Sequence, residues 1–181
     1  MGLETLVNLD KAFTERIKAT SQDNFLWKLG AFFAHSGDSW FWLAGLGLVW
    51  LVVPGDWHRR SAILAVAIVI QAVLVLSIKF TIKRSRPPGE WGAIYRNTDP
   101  HSFPSGHATR AFMLAIMAIL SGPAWFGMII LIWAPLVSMA RVYVGVHYFS
   151  DVLVGAVLGL LIGWGMLACS PLMISFFPWI F

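Results

Sequence analysis

The chain has 181 residues, of which 58% are hydrophobic and only 12% charged, with a formal net charge of +4 and a mean hydropathy of +0.73. Soluble domains carry about 25% charged residues, so the composition excludes an ordinary soluble globule, and no nucleic-acid partner is expected. A lone cysteine, Cys169, lies in a predicted span, cannot form an internal disulfide and is read as packing.

In chain order, Met1 to Gln22 carries acids and bases throughout and lacks the apolar centre of a cleaved signal peptide. Leu6, Leu9, Phe13 and Ile17 fall at helical spacing, with Lys11, Glu15 and Lys18 largely on other faces, which predicts an interfacial amphipathic helix within 1–22. The opening MGLETL lacks the Ser or Thr of a myristoylation signal. Apolar stretches then recur at Phe25–Phe33, Trp40–Val53, Ala62–Ile82, Ala111–Leu120, Trp125–Tyr143 and Val152–Ala168. Several reach or approach the roughly 20 residues that cross a bilayer as a helix. The reading is an all-α, polytopic membrane bundle of about six transmembrane helices over a single domain, 1–181, with the first stretch the shortest. HSGD, holding His35 and Asp38, reads as a polar turn between the first two stretches. His58, Arg59 and Arg60 read as a short cytoplasmic connection, and many of the ten tryptophans sit near span ends, as interfacial anchors do.

Most connections are short. The exception is a polar segment at 83–104 containing Pro87, Pro88, Gly89 and Pro100, long enough to be functional. Its entrance is densely basic, with Lys79, Lys83, Arg84 and Arg86. Such a cluster can anchor a cytoplasmic loop, attract anionic head groups or hold phosphate. At the far end of the segment, SFPSGHATR suggests a helix start: Pro104 has a suitable φ, Ser105 is a good cap, and the first free N–H groups, near Gly106 and His107, would face an anion. Asp99 and His101, close by, read as loop structure. A third segment, ARVYVGVHYFSDVL, puts Arg141 near one span's end and His147 and Asp151 across the start of the next. If the helix includes His147, the i, i+4 spacing sets the imidazole and carboxylate on one face. An Arg141–Asp151 ion pair locking two helices is the structural alternative.

Together these residues supply phosphoryl transfer through a covalent intermediate. Lys79, Arg86, Arg141, Ser105 and the N–H groups at Gly106 and His107 would hold phosphate oxygens. His147 would be the nucleophile, oriented by Asp151, and His107 the acid that protonates the leaving oxygen and then activates water. The cationic side chains take the place of a divalent ion, so neither a metal nor another cofactor is expected.

Lys79, six residues, Arg86-Pro87; then Pro104-Ser105-Gly106-His107; then Arg141, five residues, His147, three residues, Asp151 together resemble the three-part signature of the type 2 phosphatidic acid phosphatase superfamily. The resemblance implies a six-helix membrane fold and the two histidine roles just given. Ala140 stands where the family pattern has Ser, and Phe149 where many relatives have Pro.

The expected function is a membrane lipid phosphatase acting on a lipid phosphomonoester or diphosphate. The alternatives are an anion or lipid-phosphate transporter without chemistry and a lipid phosphotransferase. Arg110 is either an internal partner of the helix or a contact to a second phosphate on the leaving side. A crossing at Phe25–His35 would set Lys11, Arg16, Lys18, Arg59 and Arg60 on one, cytoplasmic, side, which predicts an outward-facing site in the plasma membrane. The sequence leaves the lipid and the oligomeric state open.

Overall fold

The computed structural model describes residues 2–89 and 99–181; residues 90–98 of the long loop lie outside them. Among the described residues there are seven helices: α1 Leu3–Ile17, α2 Phe25–Ser36, α3 Ser39–Val52, α4 Asp56–Ile82, α5 Gly106–Ser121, α6 Ala124–Tyr143 and α7 Phe149–Phe176. By length and composition α4, α6 and α7 can each cross a membrane, and α3 and α5 are shorter apolar helices. Leu48, Val69, Val73, Ile132, Leu153, Val157 and Leu161 are exposed on their outer faces. That apolar belt is a surface for lipid, because the core is already filled from within by Ile68, Met113, Leu114, Met117 and Val137.

The tightest pairing is α5 against α7, and its cause is a row of glycines on α7. A Cβ added at Gly155 would meet the Ser105 carbonyl at 2.8 Å, at Gly159 the Thr109 carbonyl at 2.2 Å, and at Gly163 the Ile116 side chain at 2.4 Å. Without side chains there, the two backbones approach closely, as small-residue stripes permit between membrane helices.

The course of α2 and α3 bears on whether the short Phe25–His35 stretch crosses by itself. Gly30 lies beside Tyr143, Gly37 beside Val137, and Trp42 packs on Trp133. The chain thus descends α6 from its last turn to its middle, and α3 continues down to Trp50, whose indole donates to the Ile180 carbonyl at the opposite end. Helices α2 and α3 therefore make one traverse, broken at Gly37-Asp38. The sequence reads as two stretches because the break is polar, and a polar break resembles a loop.

The consequence is for which basic residues share a side. Ala19 N–H donates to the Tyr143 carbonyl at 2.9 Å, the Lys18 ammonium to the Pro88 carbonyl at 2.8 Å, and Ser150 N–H to Asp10 at 3.0 Å. Helix α1 thus lies on the end that carries Arg86, His107 and His147. With one traverse in place of two, Lys11, Arg16 and Lys18 share a side with these residues, and Arg59 and Arg60 lie on the other. The two basic groups therefore do not share a side.

Candidate active site

Lys79, Ser105, Gly106, His107, Arg141 and Asp151 stand at helix ends, and Arg86 and His147 on the connections beside them. Lys79 stands in the last turn of α4, which stops at Lys83 in a left-handed conformation (φ 54°). The chain then pairs Ser85 with His101 as an antiparallel bridge, and Ser102 N–H donates to the Arg84 carbonyl at 2.8 Å. This stem closes the two ends of the long loop and brings Arg86 back toward Lys79. Ser105 caps α5, its hydroxyl accepting from Ala108 N–H at 3.4 Å. Its own N–H donates to the Asp151 carbonyl at 3.0 Å, which ties the start of α5 to the start of α7. Arg141 and His147 flank a turn in which Gly145 has a φ of 79°, a conformation that favours glycine.

Helix α7 begins at Phe149, so His147 lies just outside it, contrary to the helical i, i+4 pairing. Asp151 acts in the cap: its Oδ2 accepts from Tyr148 N–H at 2.9 Å, and its Oδ1 from Arg84 at 2.7 Å. His147 Nδ1 is 3.6 Å from Asp151 Oδ2, an ion-pair distance longer than a hydrogen bond. The ring is buried, and Nε2 lies 3.3 Å from an Arg86 Nη1. Burial, followed by the charges of Arg86, Lys79 and Arg141, holds the imidazole well below its ordinary pKa of 6.5, so it is neutral at pH 7.

Lys79, Arg86 and Arg141 are all buried. Lys79 Nζ and Arg86 Nη2 converge on one oxygen, Oδ2 of Asp99, at 2.6 and 2.9 Å. Lys79 also donates to the His101 carbonyl at 2.8 Å, and Arg86 Nη1 to that of Val146 at 2.9 Å. A carboxylate oxygen thus stands where two cations meet beside a neutral imidazole, an arrangement suited to a phosphoryl oxygen.

His107 faces another way. Its Nε2 is 2.7 Å from Oδ1 of Asp38, in the break between α2 and α3, and Oδ2 of Asp38 is 3.2 Å from His35 Nδ1. Arg110 donates from Nε to the Gly37 carbonyl at 2.8 Å and from Nη1 to Ser39 at 2.6 Å, with a second bond from Nη2 to the Gly37 carbonyl. A cavity of about 180 Å³ between α3, α4 and α5 is lined by Lys79, Asp99, His107, Arg110 and Gln71.

Asp38 and Asp99, which read as turn and loop from sequence, belong to this centre, as does Arg84, a member of the basic cluster with no assigned role. Asp38 reads locally as part of a polar turn, and the available signal is an acid at the break of an apolar traverse. Among the described residues no group of three His, Cys, Asp or Glu side chains is arranged to hold a metal ion.

The model of the PAP2 superfamily matches residues 60–174, more than half of the chain and all three motifs. The chain belongs to this family. An undecaprenyl-diphosphatase of Sulfolobus acidocaldarius is 33% identical over 135 residues, 72% of this chain and 64% of that protein, so the chain spans under two thirds of that relative. A decaprenylphosphoryl-5-phosphoribose phosphatase of Mycobacterium tuberculosis is 36% identical over 136 residues, 72% of each chain. The crystal structure of LpxE from Aquifex aeolicus superposes with a TM-score of 0.69 at 27% identity, covering 88% of this chain and 95% of that one. This PAP2 chain is therefore an integral membrane protein, and the relatives named here as enzymes are phosphatases of lipid phosphates.

Proposed function

We propose that the protein is a membrane lipid phosphatase that hydrolyses a phosphomonoester or diphosphate carried by an amphiphile, through a phosphohistidine and without a metal. The observation that carries this reading is the Asp99 carboxylate shared by Lys79 and Arg86 beside His147. A phosphate has the charge and the oxygens to replace it. Arg141, Ser105 and the first-turn N–H groups at Gly106 and His107 take the remaining oxygens, since a helix's first N–H groups have no internal partner.

His147 Nε2 attacks phosphorus while the bond to the lipid oxygen breaks, and His107 gives that oxygen a proton. Asp151 balances the positive charge that forms on the His147 ring. Water then attacks the phosphohistidine and gives a proton to His107, the N–P bond breaks, and inorganic phosphate leaves. Fixed cations offset charge on the transferring group in a site largely closed to water. The apolar belt of the bundle and the lipid substrates named for its relatives support a substrate that arrives from the bilayer.

The catalytic end faces the cytoplasm on this reading. Outside the site it carries Lys11, Arg16, Lys18, Lys28 and Lys83, against Arg59 and Arg60 at the other end, and basic residues accumulate on the cytoplasmic side.

The test is purified protein in mixed micelles with phosphatidate, phosphatidylglycerol phosphate, a polyprenyl diphosphate and a lipid A phosphate, reading inorganic phosphate. Release that disappears in His147→Ala is expected. Binding of these lipids with no turnover would leave a transporter, and consumption of lipid with phosphate passed to an added alcohol would leave a phosphotransferase.

A further inference from the structure

We propose that Asp38, in the break between α2 and α3, is the positioning residue of the general acid: its carboxylate orients His107 and serves as counterion to its protonated form in both half-reactions. The inference rests on the phosphatase reading and adds to it a residue that lies outside all three motifs and outside the segment that matches the family model.

Four observations carry it. Asp38 Oδ1 is 2.7 Å from His107 Nε2, a charge-assisted distance for an ionised carboxylate, which only accepts. Nε2 therefore carries a hydrogen, and Nδ1, on the other side of the ring, is the nitrogen left to exchange a proton with the leaving oxygen. The carboxylate itself is held by a second contact, His35 Nδ1 at 3.2 Å. The turn that bears it is clamped from below by Arg110, which bonds the Gly37 carbonyl and the Ser39 hydroxyl. Gly37 packs against the imidazole so closely that an added Cβ would lie 3.0 Å from His107 Cδ2 and 2.8 Å from Val137. A broken traverse exposes unpaired backbone at mid-helix, which is costly in a bilayer unless it is re-satisfied. Here the re-satisfying groups, Arg110 for the Gly37 carbonyl and the Trp42 indole for the Ser36 carbonyl at 3.0 Å, fix a carboxylate on the acid histidine.

The proton balance is closed. His107 becomes imidazolium when the anionic substrate phosphate binds beside it, taking its proton from solvent, with Nε2–H on Asp38. As the P–O bond to the lipid breaks, Nδ1–H passes to the leaving oxygen, and the neutral ring keeps its Nε2–H on Asp38. In the second step the attacking water gives its proton back to Nδ1, and the imidazolium is restored beside the same carboxylate. The charged groups that face His107 are Asp38 from the break, Arg110 on its own helix and Arg141 from α6, with Lys79 and Asp99 on the shared cavity. Burial most of all, and then Arg141 and Arg110, disfavour the imidazolium, and among the described residues around the ring Asp38 is the carboxylate in contact to oppose them.

The experiment compares wild type, Asp38→Asn, Asp38→Glu and His107→Ala in detergent, with a lipid phosphomonoester and with p-nitrophenyl phosphate, whose leaving group needs no proton. On the lipid, Asp38→Asn is expected to lower kcat by about 10- to 100-fold with KM little changed, less than the roughly 10²–10⁴-fold ascribed to general acid–base catalysis, because His107 itself remains. Removing a negative charge beside an imidazole disfavours the protonated ring, so the basic limb of its kcat profile moves to lower pH by about one unit. On p-nitrophenyl phosphate the same variant gives a nitrophenol burst near the wild-type rate followed by slow turnover, because phosphorylation is spared and hydrolysis is not. Asp38→Glu, which keeps the charge, returns the limb toward its wild-type position. Equal losses on both substrates with an unmoved basic limb would overturn the proposal and make Asp38 a structural cap, as would a loss matched by a fall in Tm that Asp38→Glu shares. Wild-type protein that releases no phosphate from any lipid would instead sink the phosphatase reading on which the proposal stands.

Discussion

At Asp99, one oxygen is shared by Lys79 and Arg86. In the proposed mechanism this carboxylate competes with substrate phosphate, so Asp99→Asn is expected to lower KM several-fold and to tighten inhibition by vanadate, read from initial rates. An unchanged KM would show that the carboxylate leaves without cost. His147 sets a second expectation. It attacks as the neutral ring, and burial with its cationic neighbours lowers its pKa well below 6.5. The rate depends on the unprotonated fraction, so the acidic limb of kcat/KM lies below pH 6.5, and a limb at or above that value would contradict the geometry. Phosphate release by His147→Ala should fall at least about 10³-fold with Tm preserved, because the covalent step is lost while the ring's packing is largely replaceable.

Among the elements, the α5–α7 contact fixes the register of the site, since Ser105 and Asp151 are bonded across it. A methyl at Gly159 would lie 2.2 Å from the Thr109 carbonyl, whereas nothing lies within 4 Å of a methyl at Gly165. Gly159→Ala is therefore expected to cost about 1–3 kcal/mol through overpacking and to reduce turnover, with Gly165→Ala close to neutral in both. Thermal unfolding in detergent and phosphate release read the two effects. Helix α1 is coupled to the centre as well. Asp10 bonds Arg84 at 2.7 Å, Arg84 bonds Asp151 at 2.7 Å, and its guanidinium lies 4.2 Å over the Tyr148 ring. Leu6, Leu9 and Phe13 remain exposed on α1, so an amphipathic helix and the carboxylate at the start of α7 share one arginine. Asp10→Asn is expected to lower kcat a few-fold without altering the lipid preference, as Arg84 loses one of its two carboxylates.

For the whole molecule, a single broken traverse makes the two ends of the bundle unequal. One end holds α1, the site and most of the basic residues; the other holds Arg59, Arg60 and the Phe177–Phe181 tail. Sidedness can be read with Cys169 replaced by Ser and single cysteines at Asp23 and Arg59. An impermeant maleimide added to intact cells should label Arg59→Cys, and should reach Asp23→Cys only after permeabilisation. The reverse pattern would return the site to the outer face and show that the basic residues near α1 do not act as topological signals.

What the sequence determined alone was the family signature and its helical, membrane-bound setting. Apolar length and helical periodicity are local properties, and the spacings Lys79 to Arg86, Pro104 to His107 and Arg141 to Asp151 are read directly along the chain. The amphipathic α1 and the cap at Ser105 are equally local, and both stand where the pattern put them. Tertiary structure decided what depends on direction and on distant partners. Two apolar stretches became one traverse because the Gly37-Asp38 break is satisfied by Arg110 and Trp42, residues the local pattern does not pair with it. The same packing turned Asp38 and Asp99 from loop acids into partners of His107, Lys79 and Arg86, and displaced Asp151 from a helical pairing with His147 to a cap shared with Arg84. A carboxylate's role is set by the charge it meets in space, and spacing along the chain fixes that only within one helix.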